Sequence, residues 1–324
     1  MKLIVIGSGN WGTVLTSLFS KRNTIHLWTI DQKEADYIRD HQESPLLQGF
    51  KLPASVIIEP KFSSAITSED IIVVAIPSRK MEELVLEFKK NGYERFIFVN
   101  ASKGVEHSTL RTTYETVRRH LPKVKFANLS GPTIAWELAE GLPAKAILAS
   151  GDVALLLQLR EILNNDLLKF EFSRDVVGNE LAAAMKGLIA IAVGISDGLG
   201  FKTNVFGLII TYGLWEFETV MKFLNVPTKT VYGIAGMGDL ITTCISENSR
   251  NRTFGKYLAQ GYSLEDALNK VGMEVEGVSM AKTIRKLAQF NLSIPLVSCI
   301  TRIIFDGVED VRKELLETLN SISG

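Results

Sequence analysis

The sequence has few of the residues that form covalent or metal-bound cross-links. Only two cysteines, Cys244 and Cys299, and four scattered histidines occur among its 324 residues. The cysteines have no metal-ligand spacing, and no histidine pairs with a carboxylate in a metal or catalytic-triad pattern. We therefore expect two packed thiols, no structural disulfide and no metal site.

A net charge and a long apolar run are also missing. The 36 basic residues balance the 36 acidic ones, and there is no basic block to attract nucleic acid or an anionic membrane. Lys186 interrupts the most apolar stretch, so no uninterrupted run reaches the ~20 residues of a membrane span. The N-terminus enters a β-branched run at once, unlike a secretory signal peptide. We expect a cytoplasmic protein with no nucleic-acid partner and no stable membrane association.

Two kinds of hydrophobic pattern are present. In the first half, β-branched runs alternate with helical patterns, whereas from Asn179 onward the pattern is helical only. This order predicts an α/β fold class: an N-terminal Rossmann-type doubly wound sheet over 1–178, followed by an all-helical C-terminal domain over 179–324. The predicted strands are 2–6, 24–30, 56–59, 70–77, 95–100, 125–130, 145–150 and 169–173, and the helical patterns include 13–21, 80–90 and 109–120.

A glycine-rich turn follows the first predicted strand. Residues 7–12 read Gly-Ser-Gly-Asn-Trp-Gly between a strand and a helix, the arrangement of a dinucleotide-binding turn. Gly7 permits the tight turn, Gly9 lets the backbone approach a pyrophosphate, and Gly12 lets the helix pack on the strand. These glycines therefore predict a nicotinamide dinucleotide with its phosphates at the helix N-terminus.

Asp31 ends the second predicted strand, about 20 residues after Gly12, where an acidic residue commonly binds the adenosine ribose hydroxyls. The same carboxylate can also cap the following helix. A carboxylate here repels a 2′-phosphate, and only Lys33 offers a compensating charge nearby. We therefore expect NAD as the cofactor, with NADP as the alternative.

Lys186 is the only ionisable residue between Glu180 and Asp197. In a helix that is apolar nearly all round, an ammonium needs a partner, a ligand or a water-filled cleft. Burial would lower its pKa towards the range that suits proton transfer. Alternatively, Lys186 extends along a narrow polar strip to solvent, as most lysines do. The helix alone leaves both interpretations open.

Two polar groups follow this helix. Asp239 stands between glycines and a helix start, where it is either an N-cap or a site carboxylate. The cluster Ser249-Arg250-Asn251-Arg252 lies at a loop-to-helix junction. An arginine with hydroxyl and amide neighbours suits a phosphate monoester, although a solvated helix N-terminus is the alternative. Two arginines there oppose the helix macrodipole, so stability alone does not explain them.

Together these motifs resemble the glycerol-3-phosphate dehydrogenase family, which interconverts dihydroxyacetone phosphate and sn-glycerol 3-phosphate with NAD(H) or NADP(H). The resemblance covers almost the whole chain and includes the Lys186 helix. The other segments that carry it are Gly-Ser-Gly-Asn-Trp-Gly-Thr at 7–13, Ile-Pro-Ser at 76–78, Ser-Lys-Gly-Val-Glu at 102–106, Leu-Ser-Gly-Pro-Thr at 129–133, Ser-Asp-Gly-Leu-Gly-Phe at 196–201, Ala-Gly-Met-Gly-Asp-Leu at 235–240, Ser-Arg-Asn-Arg at 249–252 and Val-Glu-Gly at 275–277.

The resemblance implies that Lys186 is the general acid/base, with Lys103 and Asp239 beside it, and that the product supplies glycerol phosphate for phospholipid synthesis. The small phosphorylated substrate would be bound by Lys103, Gly131, Thr133, Lys186, Asp239, Ser249, Arg250 and Asn251. The cofactor would further contact Asn10, Trp11, Pro77, Lys103, Ala135, Arg250 and Glu276.

Two residues depart from the family pattern. Gly187 stands where an asparagine usually follows the lysine, which removes one expected polar contact near the substrate. Ile30 occupies a position where NADP-using bacterial members tend to carry a basic or histidine side chain, which again favours NAD.

Two other functions are alternatives to a glycerol-3-phosphate dehydrogenase. A two-domain 3-hydroxy acid dehydrogenase would need a Lys-x-x-Asn helix, but Ile189 stands three residues after Lys186. A non-catalytic nicotinamide sensor would leave Lys186, Lys103, Asp239 and Arg250 free to vary, and their joint presence argues against it. The apolar second half is compatible with a homodimer.

Overall fold

The structure is a computed structural model that describes residues 2–106, 110–287 and 292–322. The chain divides into two compact units. One, the sheet unit, comprises Met1–Ser102 and Thr112–Val176, and the other, the helical unit, comprises Lys103–Arg111 and Val177–Gly324.

This division differs from the predicted single boundary after Gly178. The segment Lys103–Arg111 belongs with the helical unit, although it lies between two strands of the sheet in sequence. The last crossing occurs after Val176, where the long first helix of the helical unit already begins. The composition of a short loop does not reveal which unit it packs against. The sequence patterns therefore did not indicate that this segment belongs to the helical unit.

The sheet unit contains the alternating strands and helices. Its strands are β1 (Leu3–Ile6), β2 (Ile25–Thr29), β3 (Ile57–Pro60), β4 (Ile71–Val74), β5 (Ile97–Asn100), β6 (Lys125–Ser130), β7 (Ala144–Ala149) and β8 (Leu168–Ser173). Its α-helices are α1 (Asn10–Ser20), α2 (Gln32–His41), α3 (Met81–Lys90), α4 (Thr113–His120), α5 (Ala135–Ala139) and α6 (Val153–Leu163), and a short 3₁₀ turn covers Ser78–Lys80.

Within the described residues, the strands form one eight-stranded sheet in the order β3-β2-β1-β4-β5-β6-β7-β8. All neighbouring strands are parallel except β6 and β7. Every residue of the central strands β1 and β4 is buried, because helices cover both faces of a doubly wound sheet. The predicted Rossmann-type α/β class is confirmed, and the carboxyl ends of its parallel strands are where such folds bind ligands.

Helix boundaries differ by a few residues from the sequence patterns. Helix α1 begins at Asn10, three residues before the predicted start. Helix α4 begins only at Thr113, because Thr112 and Glu115 form a capping box: Glu115 N donates to Thr112 Oγ1 at 3.3 Å, and Thr112 N donates to Glu115 Oε2 at 2.8 Å. The predicted start of this helix, Thr109, lies outside the described residues, as does Asn291.

The helical unit contains no strand among its described residues. Its helices are α7 (Val176–Gly198), α8 (Thr203–Phe223), α9 (Asp239–Ile245), α10 (Arg250–Ala259), α11 (Leu264–Val271), α12 (Glu276–Leu287), α13 (Pro295–Phe305) and α14 (Val311–Ser321). A 3₁₀ turn, Thr228–Tyr232, and a π-helical turn, Ile234–Gly238, precede α9.

Helix α7 is the centre of the helical unit's core. Among the described helices, it alone is long and apolar enough to cross a membrane by length and composition, with a mean hydropathy of 1.6 over its best window, and 94% of that window is buried inside the protein. This differs from the sequence-based expectation, in which Lys186 disqualifies the stretch. The burial identifies α7 as a core helix that the other helices surround.

Glycines allow the neighbouring helices to touch the backbone of α7. A Cβ on Gly194 would lie 2.0 Å from the carbonyl oxygen of Arg252, and one on Gly255 would lie 2.2 Å from that of Ile191. Helices α7 and α10 therefore pack backbone against backbone. Such contact leaves little room for either helix to shift without a clash.

Glu216 on α8 is a buried carboxylate without a cationic partner in the described contacts. Leu296 N and Val297 N donate to its two oxygens at 2.6 and 2.8 Å, so Glu216 caps α13, whose own N-cap residue Ile294 has no side-chain hydrogen bond. Burial outweighs these two hydrogen bonds and raises the pKa of Glu216 to about 7.

This pKa predicts a pH-dependent stability. Between about pH 4.5 and 7 the folded protein holds a proton on Glu216 that the unfolded chain has lost, so the free energy of unfolding falls as pH rises, by up to ~3 kcal/mol. Glu216→Gln, which imitates the protonated carboxyl, should remove this component. Urea unfolding of both proteins from pH 4.5 to 8 measures it. Parallel pH profiles for the two proteins would contradict the prediction.

Candidate active site

The glycine-rich turn joins β1 to α1 as the sequence predicts, and its three glycines have different surroundings. Gly7 has a φ of +111°, and a Cβ there would lie 2.4 Å from Ala75 O. A Cβ on Gly12 would lie 1.9 Å from Gly7 O. A Cβ on Gly9 would meet no atom within 4 Å. Gly7 and Gly12 are therefore needed for the turn itself, whereas Gly9 borders open space.

Two side chains at the start of α1 have buried polar atoms without a partner. Neither Asn10 Oδ1 nor Trp11 Nε1 has a hydrogen-bond partner in the described part of the chain. Because buried polar atoms are normally paired, these two call for an external ligand or a water molecule. A dinucleotide fits this place, since the helix N-terminus favours phosphate and contains no acidic residue in its first turn.

Asp31 is the N-cap of α2, and its carboxylate accepts a hydrogen bond from Glu34 N at 2.9 Å. Glu34 is a second carboxylate beside the turn: Ser8 Oγ donates to it at 2.7 Å and Ile30 N donates at 3.0 Å. Glu34 was not among the predicted site residues, although an acidic residue in the first turn after an N-cap is a helix-start signal visible in the sequence. Two carboxylates here leave a 2′-phosphate in an unfavourable field.

The remaining predicted positions of the sheet unit lie in loops after its strands or at the start of a helix. Pro77 precedes the 3₁₀ turn after β4, and Ala135 is the first residue of α5. Between β6 and α5, Gly131 has a φ of +133°, and Thr133 Oγ1 donates to Gly131 O at 3.2 Å. These residues belong to the sheet unit, whereas the predicted catalytic residues belong to the helical unit.

In the helical unit, three charged side chains predicted to act together do meet. Lys186 Nζ donates to Asp239 Oδ1, and Lys103 Nζ lies 2.9 Å from Asp239 Oδ2. The Lys186 residue is 7% exposed and Asp239 1% exposed, so Lys186 does not extend to solvent. Asp239 sits at the first position of α9, after the π-helical turn, and accepts from two ammonium groups that burial would otherwise leave unpaired.

The two lysines have opposite pKa shifts. Desolvation by burial is the largest influence on Lys186, exceeds the attraction of Asp239 and, together with the repulsion of Lys103, lowers the pKa of Lys186 to about 7. Burial opposes the charge of Lys103 as well, but there the attraction and hydrogen bonds of Asp239 prevail and raise the pKa of Lys103. Lys103 therefore stays charged while Lys186 can exchange a proton near neutral pH.

Glu276, the first residue of α12, adds a second carboxylate. Burial raises the pKa of Glu276 against the attraction of Arg250, Lys186 and Lys103. Glu274 is a further carboxylate close to Glu276 and also raises its pKa. Arg250, Lys186 and Lys103 thus lie in one cluster of mixed charge, in which the three cations can engage an anionic ligand.

The predicted phosphate cluster lies at the start of α10. Ser249 is the N-cap and accepts from Arg252 N at 3.3 Å, while Asn251 Oδ1 accepts from Gly277 N at 2.9 Å. Arg250 is exposed and has no hydrogen-bonded or ion-paired partner among the described contacts. Of the two arginines in this cluster, Arg250 is therefore the one available to a ligand.

Gly187, the departure from the family pattern, lies beside Asn251. A Cβ on Gly187 would lie 3.1 Å from Asn251 Nδ2 and equally close to Gly277 Cα. The Asn251 amide thus lies directly beside this position, next in sequence to Lys186. A side chain larger than hydrogen at 187 would require Asn251 or α12 to move.

Cys244 and Cys299 are buried free thiols, and burial raises the pKa of Cys244 to about 12. Neither thiol is activated as a nucleophile. Among the described residues, no group of three or more histidine, cysteine, aspartate or glutamate side chains is arranged to hold a metal ion.

Comparison with known proteins finds relatives over nearly the whole chain. Residues 2–156 match the N-terminal domain, and residues 175–313 the C-terminal domain, of NAD-dependent glycerol-3-phosphate dehydrogenase. A glycerol-3-phosphate dehydrogenase [NAD(P)+] from Fusobacterium nucleatum is 33% identical over 99% of this chain and 96% of its own length. One from Thermoanaerobacter sp. is 34% identical over 95% and 93%, respectively.

A solved structure shows the same relationship. The crystal structure of glycerol-3-phosphate dehydrogenase from Coxiella burnetii superposes with a TM-score of 0.90 at 28% sequence identity, over 98% of each chain. The matches extend through both units and include the segments that carry Lys103, Lys186, Asp239 and Arg250. The chain belongs to the NAD-dependent glycerol-3-phosphate dehydrogenase family.

Proposed function

We propose that the protein is an enzyme that interconverts dihydroxyacetone phosphate and sn-glycerol 3-phosphate with NAD(H). The observation that carries this proposal is the trio of buried Lys186, buried Asp239 and partly buried Lys103, in which one lysine has a pKa of about 7 and the other stays charged. Reduction of a carbonyl needs a proton donor at the oxygen and a positive field around it, and this trio supplies both.

The cofactor would be held in the sheet unit by the turn of Gly7, Gly9 and Gly12, with Asn10 and Trp11 at the start of α1. When bound, a nicotinamide cofactor supplies or accepts the hydride. We propose NAD over NADP, because Asp31 and Glu34 both lie where the adenosine ribose binds in such turns. Their carboxylates can accept from ribose hydroxyls and would repel a 2′-phosphate.

The proton transfer follows from the charges of the trio. In the reducing direction, the carbonyl carbon gains a hydride and its oxygen gains negative charge, which the Lys186 ammonium stabilises and then neutralises by giving up a proton. The C–O π bond is thereby replaced by a C–H and an O–H bond. In the oxidising direction, neutral Lys186 accepts the hydroxyl proton. Asp239 orients Lys186 throughout, and Lys103 keeps the field positive.

Arg250 would anchor the phosphate of the substrate. It is the exposed arginine of its cluster, and a guanidinium can engage two phosphate oxygens while the Ser249 hydroxyl and the Asn251 amide donate to others. Binding energy at the phosphate, remote from the reacting carbon, fixes the orientation of the carbonyl. Glu276, Gly131, Thr133, Pro77 and Ala135 are proposed binding residues on the family resemblance.

The two other functions fit the structure less well. Ile189, where a 3-hydroxy acid dehydrogenase would have asparagine, is completely buried and touches the position of Gly213 on α8, so it packs in the core. A sensor that had lost its chemistry would have no use for a buried lysine with a lowered pKa, since burying such a charge costs stability.

We further propose that the enzyme is cytoplasmic, supplies glycerol phosphate for phospholipid synthesis and works as a homodimer. Exposed apolar side chains on α8, Leu208, Trp215 and Phe223, are compatible with a second copy of the chain. Size-exclusion chromatography with light scattering tests the oligomeric state.

The activity is tested by NADH oxidation with dihydroxyacetone phosphate, repeated with NADPH. We expect the protein to reduce dihydroxyacetone phosphate with NADH, and to do so more slowly with NADPH at the same concentration. Folded protein that oxidises neither cofactor would overturn the enzymatic function, and a preference for NADPH would overturn the cofactor assignment.

Lys186→Ala and Arg250→Ala should affect the reaction differently. Loss of the proton donor should lower kcat at least ~100-fold, with little change in NADH affinity. Loss of the phosphate anchor should chiefly raise KM for dihydroxyacetone phosphate, roughly tenfold or more, because charge-assisted hydrogen bonds contribute ~1.5–3 kcal/mol each. Steady-state kinetics separate the two effects.

Lys186→Met, which keeps an apolar side chain of similar length, controls for folding and should show the same loss of kcat. A kcat near that of the natural protein in either Lys186 variant would contradict the role of Lys186. An unchanged KM in Arg250→Ala would contradict the role of Arg250.

Gly9→Ala and Gly12→Ala should separate cofactor binding from folding. Gly9 has φ −67° and ψ 175°, which alanine adopts without strain, so this variant should keep its free energy of unfolding within ~0.5 kcal/mol. The added methyl should nevertheless weaken NADH binding roughly tenfold, because it occupies the space of the pyrophosphate. Gly12→Ala should destabilise the sheet unit itself. Thermal unfolding and NADH titration measure both effects, and normal NADH affinity in Gly9→Ala would contradict this assignment.

A further inference from the structure

Arg252, the second arginine of the predicted phosphate cluster, is held by contacts within the protein. It is the third residue of α10, and its side chain is 13% exposed. Its Nη2 lies 2.7 Å from Asp197 Oδ2, and its Nη1 donates to Ile245 O at 2.6 Å. Two of the three guanidinium nitrogens are therefore held by other parts of the protein, while Nε is buried without a hydrogen-bond partner among the described residues. Arg250 is the exposed arginine of this cluster.

The two partners of Arg252 belong to the helices that carry the catalytic trio. Asp197 lies in the last turn of α7, the helix of Lys186, and Ile245 ends α9, the helix that Asp239 begins. Arg252 itself lies two residues after Arg250. One planar guanidinium thus connects α7, α9 and α10, and its fixed fork sets the directions of both contacts.

Backbone packing also holds the first turn of α10 in place. The backbone of α10 touches that of α7 at Arg252 itself, since a Cβ on Gly194 would lie 2.0 Å from Arg252 O. The side chain and the backbone of the same residue therefore hold the start of α10 to α7. Arg250, two residues earlier, has no comparable contact with α7 among the described residues.

Helix stability does not account for this arginine. A cation in the first turn of a helix opposes the macrodipole, and Asp197 already has a second cation, because Lys256 Nζ lies 2.8 Å from the same oxygen. The side chain of Lys256 is 39% exposed, and none of its described contacts is with α9. Removing Lys256 therefore removes an ion pair to Asp197 without removing the connection between the three helices.

We propose that Arg252 is a positioning residue for phosphate recognition: it holds the first turn of α10 against α7 and α9, and thereby sets where Arg250 meets the substrate phosphate relative to Lys186. The proposal rests on the proposed dehydrogenase function. A positioning role of this kind affects only substrates that carry the phosphate, whereas a general structural role affects all substrates alike.

The test compares dihydroxyacetone phosphate with dihydroxyacetone, which has the same carbonyl and no phosphate. In Arg252→Lys, which keeps the charge but cannot reach both partners with one planar fork, kcat/KM for dihydroxyacetone phosphate should fall at least ~10-fold. The value for dihydroxyacetone and the Kd for NADH should stay within about twofold. Lys256→Met is the matched control and should leave all three values within about twofold.

Inhibition by inorganic phosphate gives a second measurement, which does not depend on turnover of dihydroxyacetone. The inhibition constant of inorganic phosphate against dihydroxyacetone phosphate should rise in Arg252→Lys and not in Lys256→Met. Asp197→Asn, which removes one of the two partners of Arg252, should lie between the natural protein and Arg252→Lys.

Three results would overturn the proposal. The first is an equal loss of kcat/KM with both substrates in Arg252→Lys, and the second is an equal loss of kcat/KM in Arg252→Lys and Lys256→Met. The third is a kcat/KM in Arg252→Lys that equals that of the natural protein. Absence of turnover by the natural protein with dihydroxyacetone phosphate would instead overturn the proposed function, so the two failures are distinguishable.

Discussion

A lysine ammonium in the middle of a buried helix is the constraint on which the helical unit depends. An unpaired charge there would cost several kcal/mol, so α7 can keep Lys186 only because Asp239 is brought against it. Asp239 is itself almost completely buried and is shared with Lys103. One carboxylate between two ammonium groups gives each of them an anionic hydrogen-bond partner and leaves positive charge in excess. That excess is what a developing alkoxide would neutralise.

The positions of these charges depend on how closely the helices approach one another. Gly194 and Gly255 let α7 and α10 meet through their backbones, and Gly187 and Gly277 do the same for α7 and α12. Close-packed helices hold their side chains without reorganisation during a reaction, which is the condition for electrostatic catalysis. The small residue at 187 is thus part of this packing, beside the Asn251 amide.

Local patterns predicted much of the fold. The β-branched runs and the glycine-rich turn of residues 7–12 depend on short-range sterics and burial, so the strands and the α/β class could be predicted. The assignment of Lys103–Arg111 to the helical unit could not be predicted, because it depends on tertiary contacts that the composition of a nine-residue loop does not reveal.

For the site, residue types and motif order indicated the members of the charged trio, but not their pairing. Lys186 and Asp239 are 53 residues apart in sequence, and Arg252 and Asp197 are 55 apart. Whether Lys186 is buried or extends to solvent, and which arginine faces a ligand, depends on these distant contacts. Glu34 is different, because its place in the first turn after the N-cap Asp31 is visible in the sequence.

Burial, together with the charge of Lys103, prepares Lys186 to exchange a proton near neutral pH. The most direct test is an NMR titration of the protein labelled with ¹⁵N at lysine Nζ, in which Lys186→Met identifies the Lys186 signal. We predict that Lys186 titrates with a pKa of about 7. A pKa near the ordinary lysine value of ~10.4 would contradict it.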